Sequence, residues 1–153
     1  MAITVNDDFV AGQTLTNTEC NNFPRGLVAI TKNDTSDASI TAEEVQMMVS
    51  WTAVANRNYR FIYTEPQLTG TTATTCTVRL RSGTDTTGTV LNSSTVGITS
   101  TLLPFISLCQ SVGNYGVGAQ SVVATLQFSA GTGSATRSAT RLAILTVEDL
   151  GTA

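Results

Sequence analysis

The sequence predicts an all-β protein: an antiparallel two-sheet β-sandwich of jelly-roll type. Residues 1–26 are expected to form a short N-terminal arm containing a two-turn helix, and residues 27–153 the sandwich. Three observations carry this reading. Threonine fills 28 of 153 positions while charged residues make up only 12%, and a stiff β-branched side chain suits a pleated, half-exposed strand better than a helix. Several runs alternate apolar and polar residues with a period of two, the pattern of a strand with one face turned inward. Roughly eight such runs recur about every ten residues, broken by Gly, Asn, Asp and Ser, as in an all-β sandwich. A hydrophobic share of 41% is enough for one core, and the length suits one domain.

Within the arm, Ala2-Ile3-Thr4-Val5 can pair as a short strand before Asn6-Asp7-Asp8 breaks it. Thr16 and Glu19 form a capping box, in which each side chain can satisfy the other's backbone N–H. Pro24 ends that helix after about two turns. In the sandwich, Val45, Met47, Val49 and Trp51 share one face, with Gln46, Met48, Ser50 and Thr52 on the other. Glu43 and Glu44 could instead begin a helix, but alternation through Trp51 favours a strand. Tyr59, Phe61 and Tyr63 oppose Arg60, Ile62 and Thr64 after a turn at Ala55-Asn56-Arg57-Asn58, so residues 48–64 are expected to form a hairpin. Cys76, Val78 and Leu80 face inward against Thr77, Arg79 and Arg81.

Val90-Leu91 and residues 96–99 carry weaker strand signals, and Pro104 confines any strand in the apolar run 102–108 to an edge or a bend. Val122, Ala124, Leu126 and Phe128 alternate with Val123, Thr125 and Gln127. After the turn at Gly131-Thr132-Gly133-Ser134, the last strand sets Ala143, Leu145 and Val147 against Leu142, Ile144 and Thr146. A strand apolar on both faces is buried between layers or lies in a subunit contact. Leu142, Ile144, Leu145 and Val147 are therefore the candidate oligomer interface.

The composition excludes several function classes. With a net charge of −3 and eight scattered Lys and Arg, the chain has no basic stripe to neutralise phosphates, so nucleic acid is not an expected partner. No run of eighteen apolar residues occurs, and two acids stand where a signal peptide needs a basic region, so neither membrane insertion nor export is expected. Histidine is absent, which removes the Ser-His and Cys-His nucleophile systems and the commonest metal ligand. Cys20, Cys76 and Cys109 are widely spaced without a CxxC pair and read as small apolar residues in a reducing compartment. The adjacent acid pairs Asp7-Asp8, Glu43-Glu44 and Glu148-Asp149 point to opposite faces of a strand and make no catalytic dyad. Asp34, Ser36 and Asp37 offer oxygens of the kind calcium takes, but without the spacing of a calcium loop they read as a turn. Gly113, Gly116 and Gly118 follow no βαβ unit and read as a loop. Trp51 with Tyr59, Phe61 and Tyr63 reads as core, with an exposed sugar-stacking row as the alternative. No enzyme activity, cofactor or metal is expected.

Two short segments carry a resemblance. Asp7-Asp8-Phe9-Val10-Ala11-Gly12-Gln13-Thr14-Leu15-Thr16, followed by Asn21-Asn22-Phe23-Pro24-Arg25-Gly26, resembles the opening of small structural proteins of tailed bacteriophages, where F-x-x-G-x-x-L-T, M-N and P-x-G precede a β-rich body. Cys20 stands where that pattern has methionine. The ending Val147-Glu148-Asp149-Leu150-Gly151 is similar to the V-E-D-L-G that closes the same group. The resemblance implies a non-enzymatic virion component assembled in the host bacterial cytoplasm and carried on the particle exterior as a capsid decoration, head-fibre or minor capsid protein. It further implies an arm, with Phe9, Val10, Leu15, Phe23, Pro24 and Arg25, that binds the major capsid protein, and a body that self-associates, expected as a homotrimer around the outer face of the terminal strand. The alternatives are a minor tail protein or fibre component bound to tail proteins, and a carbohydrate-binding module contacting host glycans.

Overall fold

The computed structural model describes residues 23–99 and 103–153; for residues 103–111 it describes the backbone alone. The strand expected at Ala2–Val5, the helix expected from Thr16, and Phe9, Val10, Leu15 and Cys20 lie outside the described residues.

The alternating runs become ten strands: β1 (Gly26–Asn33), β2 (Asp37–Ile40), β3 (Glu44–Ala53), β4 (Arg57–Gly70), β5 (Thr74–Ser82), β6 (Val90–Ile98), β7 (Leu103–Asn114), β8 (Gly118–Phe128), β9 (Gly133–Ala135) and β10 (Ala143–Thr152). They form two sheets in which every pairing is antiparallel, and no helix occurs among the described residues. In the first sheet β1, β10, β4 and β7 lie side by side, while the short β9 and β2 continue the β10 edge of β4 beyond Thr64. The second sheet runs β3-β8-β5-β6. The long pairings are nested: β1 with β10, β3 with β8, β4 with β7, and β5 with β6. Pro104 lies in β7, which pairs with β4 and with no other described strand. That edge position suits a residue without a backbone donor.

The core is made where the inward faces of the two sheets meet. Val49, Trp51, Cys76, Val78, Leu80, Val122, Ala124 and Leu126 come from the second sheet, and Tyr59, Phe61, Tyr63, Ala143, Leu145 and Val147 from the first. The hairpin expected over residues 48–64 is not formed. β3 and β4 belong to opposite sheets, joined by a short crossing whose Asn56 has φ 57°, a backbone region that Asn tolerates better than most side chains. Alternation shows which face of a strand turns inward, but not which strand lies beside it. The two aromatic rows therefore face each other across the layers. The Trp51 ring lies 5.7 Å from Tyr59 and 5.1 Å from Phe61, and Tyr115 closes the cluster edge-on at 5.7 Å from Trp51. Tilted and edge-to-face contacts of this kind add about 0.5–1.5 kcal/mol per pair beyond area burial.

A second correction concerns β3. A bulge between Val45 and Met47 turns Val45 to the surface, while Gln46 and Met47 are both buried. An extra residue in one strand shifts the alternation on one side of it.

Candidate functional site

The terminal strand β10 alternates cleanly. Ala143, Leu145, Val147 and Asp149 are buried, while Ile144, Thr146 and Glu148 are half-buried on the outer face of the first sheet, with Leu142 half-buried just before the strand. Of the four residues expected at an oligomer contact, Leu145 and Val147 thus belong to this chain's own core. Both faces of β10 are apolar for two different reasons: one packs against the second sheet, and the other faces outward. Leu142 and Ile144 remain available on the outside.

Register shows what accompanies them. Leu27 of β1 pairs with Glu148, Glu148 with Arg60 of β4, and Arg60 with Val112 of β7, so these four side chains form one row across the outer face. In the next row Ile30 pairs with Thr146 and Thr146 with Ile62; in the third, Lys32 pairs with Ile144 and Ile144 with Thr64. Leu27, Ile30 and Val112 are 55%, 44% and 54% exposed; Leu27 and Ile30 neighbour each other on β1, and Val112 stands at the far end of the row, three strands away. The Arg60 guanidinium and Glu148 carboxylate pair at the centre, with Nε donating over 2.8 Å. Leu27 and Ile30 share the face although they stand three apart, because β1 has a bulge between Leu27 and Ala29. Sequence reasoning missed Leu27, Ile30 and Val112. Ile62 was readable, since it alternates with the buried aromatics.

The outer face of the second sheet is mixed: one row reads Met48, Val123, Arg81, Val90, with Met48 and Val90 45% and 43% exposed, and the other rows are polar. Hydroxyls pair across its strands, Ser50 with Ser121 at 2.8 Å and Thr77 with Thr95 at 3.2 Å. Glu43 accepts from Arg81 Nε at 2.7 Å and from Thr125 at 2.7 Å, with Arg79 3.1 Å away. Burial works to raise the Glu43 carboxyl, but the hydrogen bonds from Arg81 and Thr125 and the nearby arginine charges outweigh it and hold it low.

The two end segments singled out in the sequence meet at one side chain. Arg57 was expected in a turn; it opens β4 instead and is almost wholly buried. Its Nε and Nη2 donate to Asp149 at 2.5 and 2.7 Å, and Nη2 also donates to the Phe23 carbonyl at 2.6 Å. Asp149 in turn accepts from Gly151 N–H at 2.9 Å, and Gly151 has φ 102°, a conformation open to glycine and costly for other residues. Phe23 is half-buried, while Pro24 and Arg25 are exposed.

A surface cavity of about 370 Å³ lies beside β2, with Asn33, Ser36, Asp37, Gln46 and Arg137 in its lining. Beneath it Arg137 and Glu65 form a buried ion pair at 2.7 Å, joined by the Tyr63 hydroxyl and by Gln46, whose Oε1 accepts from Arg137 at 2.8 Å. Burial and the Glu65 charge push the Tyr63 hydroxyl well above its usual range. Of Asp34, Ser36 and Asp37, expected in a turn, Asp34 and Ser36 lie in the link between β1 and β2, and Asp37 opens β2. Asp34 accepts from the Thr35 hydroxyl, Ser36 bonds the Arg137 backbone, and Asp37 accepts from Ser39 and Gln46. Burial, aided by the neighbouring Asp37 charge, raises the Glu44 carboxyl.

Trp51, Tyr59, Phe61 and Tyr63 are buried and offer no exposed stacking row. Of the segment expected as a loop, Gly113 lies in β7 and Gly118 opens β8; Tyr115–Val117 joins the two strands, and Tyr115 enters the aromatic cluster. Cys76 is a buried free thiol, pushed up to about 12 by burial. No protein-family model matches the chain, and no curated protein matches it.

Proposed function

We propose that this chain is a non-enzymatic structural protein of a bacteriophage virion, a minor capsid or decoration protein that works by binding protein surfaces. The observation that carries the reading is the outer face of the first sheet. It gathers Leu27, Ile30, Ile62, Ile144 and Val112 around one ion pair, while the opposite face sets Met48 and Val90 among paired hydroxyls and charges. An apolar grouping of that kind on one side of a sandwich suits a protein contact. A non-catalytic role is supported by the carboxylates. Glu43, Glu65, Glu148 and Asp149 stand in ion pairs, and Asp34, Asp37, Glu44 and Asp85 hold turns or neighbouring side chains.

The nested pairing supports a jelly-roll wrapping within the sandwich, since folding one long antiparallel hairpin around a core gives two Greek keys with β1, β10, β4 and β7 in one sheet and β3, β8, β5 and β6 in the other. That architecture occurs in capsid and lectin domains alike, so the station on the particle rests on the resemblance of the chain ends and not on the fold. In this reading the part of the expected arm that precedes Phe23 anchors to the major capsid protein on the exterior of the head, since Phe23 and Gly26 are held by the sandwich, and the sandwich self-associates.

Electron cryo-microscopy of purified particles tests the proposal. Hundreds of copies over the head shell are expected. A few copies at the tail would move the protein to the tail, and none anywhere would end the virion reading.

A further inference from the structure

We propose that the outer face of the first sheet binds a second copy of this chain face to face, around a two-fold axis that runs along the strands between β10 and β4. The inference rests on the reading of that face as the self-association surface and specifies its symmetry.

The row Leu27, Glu148, Arg60, Val112 reads apolar, acid, base, apolar across β1, β10, β4 and β7. Turning a copy by half a revolution about the axis lays β10 on β4 and β1 on β7. Glu148 then lies over Arg60 of the second copy and Arg60 over its Glu148, while Leu27 meets Val112 at both ends. In the neighbouring row Thr146 meets Ile62. A row that reads as its own complement backwards is the requirement for an isologous contact, whereas a three-fold contact joins two different patches and makes no use of the reversal.

Sheet twist rotates the outer strands of two packed faces by about 30°, but the charges nearest the axis stay opposed. Each charge enters already paired, since Arg60 and Glu148 bond within the chain. Closure therefore adds a second partner to each and leaves no charge buried alone. Four strands at about 4.8 Å by ten residues at about 3.3 Å give a face of roughly 600 Å², so two faces bury on the order of 1,200 Å², at the lower end of a specific stable interface.

Light scattering on the full-length chain comes first, and the expected mass is a dimer, twice the 16.0 kDa of one chain. Arg60→Glu and Glu148→Arg each set like charges across the axis, so each alone is expected to be monomeric. An equimolar mixture of the two is expected to recover the dimer, because every crossing is again opposite in sign. An effect on folding within one chain cannot produce recovery on mixing. Val112→Arg, at an exposed position, is expected to weaken dimerisation at least tenfold with the fold intact, and keeps the test open if either charge variant folds poorly. A wild-type trimer, a mixture that stays monomeric, or a Val112→Arg variant that dimerises normally would overturn the two-fold arrangement while leaving self-association standing. A wild-type monomer at high concentration would overturn both.

Discussion

At the scale of single residues, the two adjacent acids Glu43 and Glu44 show how neighbours in sequence acquire opposite electrostatics. Glu43 lies just before β3 and Glu44 opens it, and the two turn to different surroundings. For Glu43, burial is outweighed by hydrogen bonds from Arg81 and Thr125 and by the arginine charges, which lower its carboxyl; for Glu44, burial and the Asp37 charge raise it. A carboxyl lower in the folded than in the unfolded chain stabilises above the ordinary glutamate range, near 4.3, and that contribution disappears as pH falls through the folded value. A carboxyl raised on folding does the reverse: its contribution is whole in acid and is lost as pH rises through the folded value. Glu43→Gln is therefore expected to destabilise at neutral pH, and the difference from wild type should narrow as pH falls below the ordinary glutamate range. Glu44→Gln should match wild type in acid and exceed it at neutral pH, each effect within about 1 kcal/mol as for partly exposed charges. Urea midpoints measured from about pH 3 to pH 8 check both. Parallel curves for wild type and either variant would mean that its environment does not distinguish the two protonation states.

At the scale of elements, what could be read in advance was what depends on nearest neighbours in the chain. The inward row of β10 and the aromatic row of β4 follow from period-two alternation, and Pro104 marked an edge because it lacks a donor. What could not be read was non-local. Nothing in residues 27–30 or 45–47 marks the extra residue that bulges β1 and β3, so Leu27 and Ile30 could not be put on one face, and Val45 was placed inside. Whether β4 lies beside β3 or opposite it depends on partners far along the chain, and Arg57 was hidden because its partners Asp149 and Phe23 are remote. The same distinction separates the two faces of β10. Leu145→Ala removes a fully buried side chain and is expected to cost about 2–5 kcal/mol, with no direct effect on association. Ile144→Ala, on the outward face, is expected to cost under about 1 kcal/mol in the monomer while weakening self-association. Thermal unfolding of dilute protein and light scattering of concentrated protein report the two effects separately, and equal stability losses would remove the distinction between the faces.

At the scale of the whole molecule, the two end segments singled out in the sequence are also where the chain is fastened to itself. Arg57 ties the Phe23 carbonyl to Asp149, and Glu148 beside it turns outward to Arg60. In the V-E-D-L-G ending, Val147 packs in the core, Asp149 completes a buried ion pair, and Gly151 takes a positive φ where the register of β10 shifts. These residues serve the fold, so the arm reading has to stand on the chain before Phe23. A truncation that begins at Phe23 keeps the carbonyl that Arg57 holds, and leaves β1 and the whole outer face of the first sheet in place. If residues 1–22 carry attachment, the truncated protein should unfold at a temperature close to wild type and keep its self-associated mass, yet fail to co-sediment with particles that full-length protein decorates. Decoration at full occupancy by the truncated chain would move attachment onto the sandwich. A loss of both mass and fold would instead make the first 22 residues part of the domain, and the boundary at residue 26 would have to be redrawn.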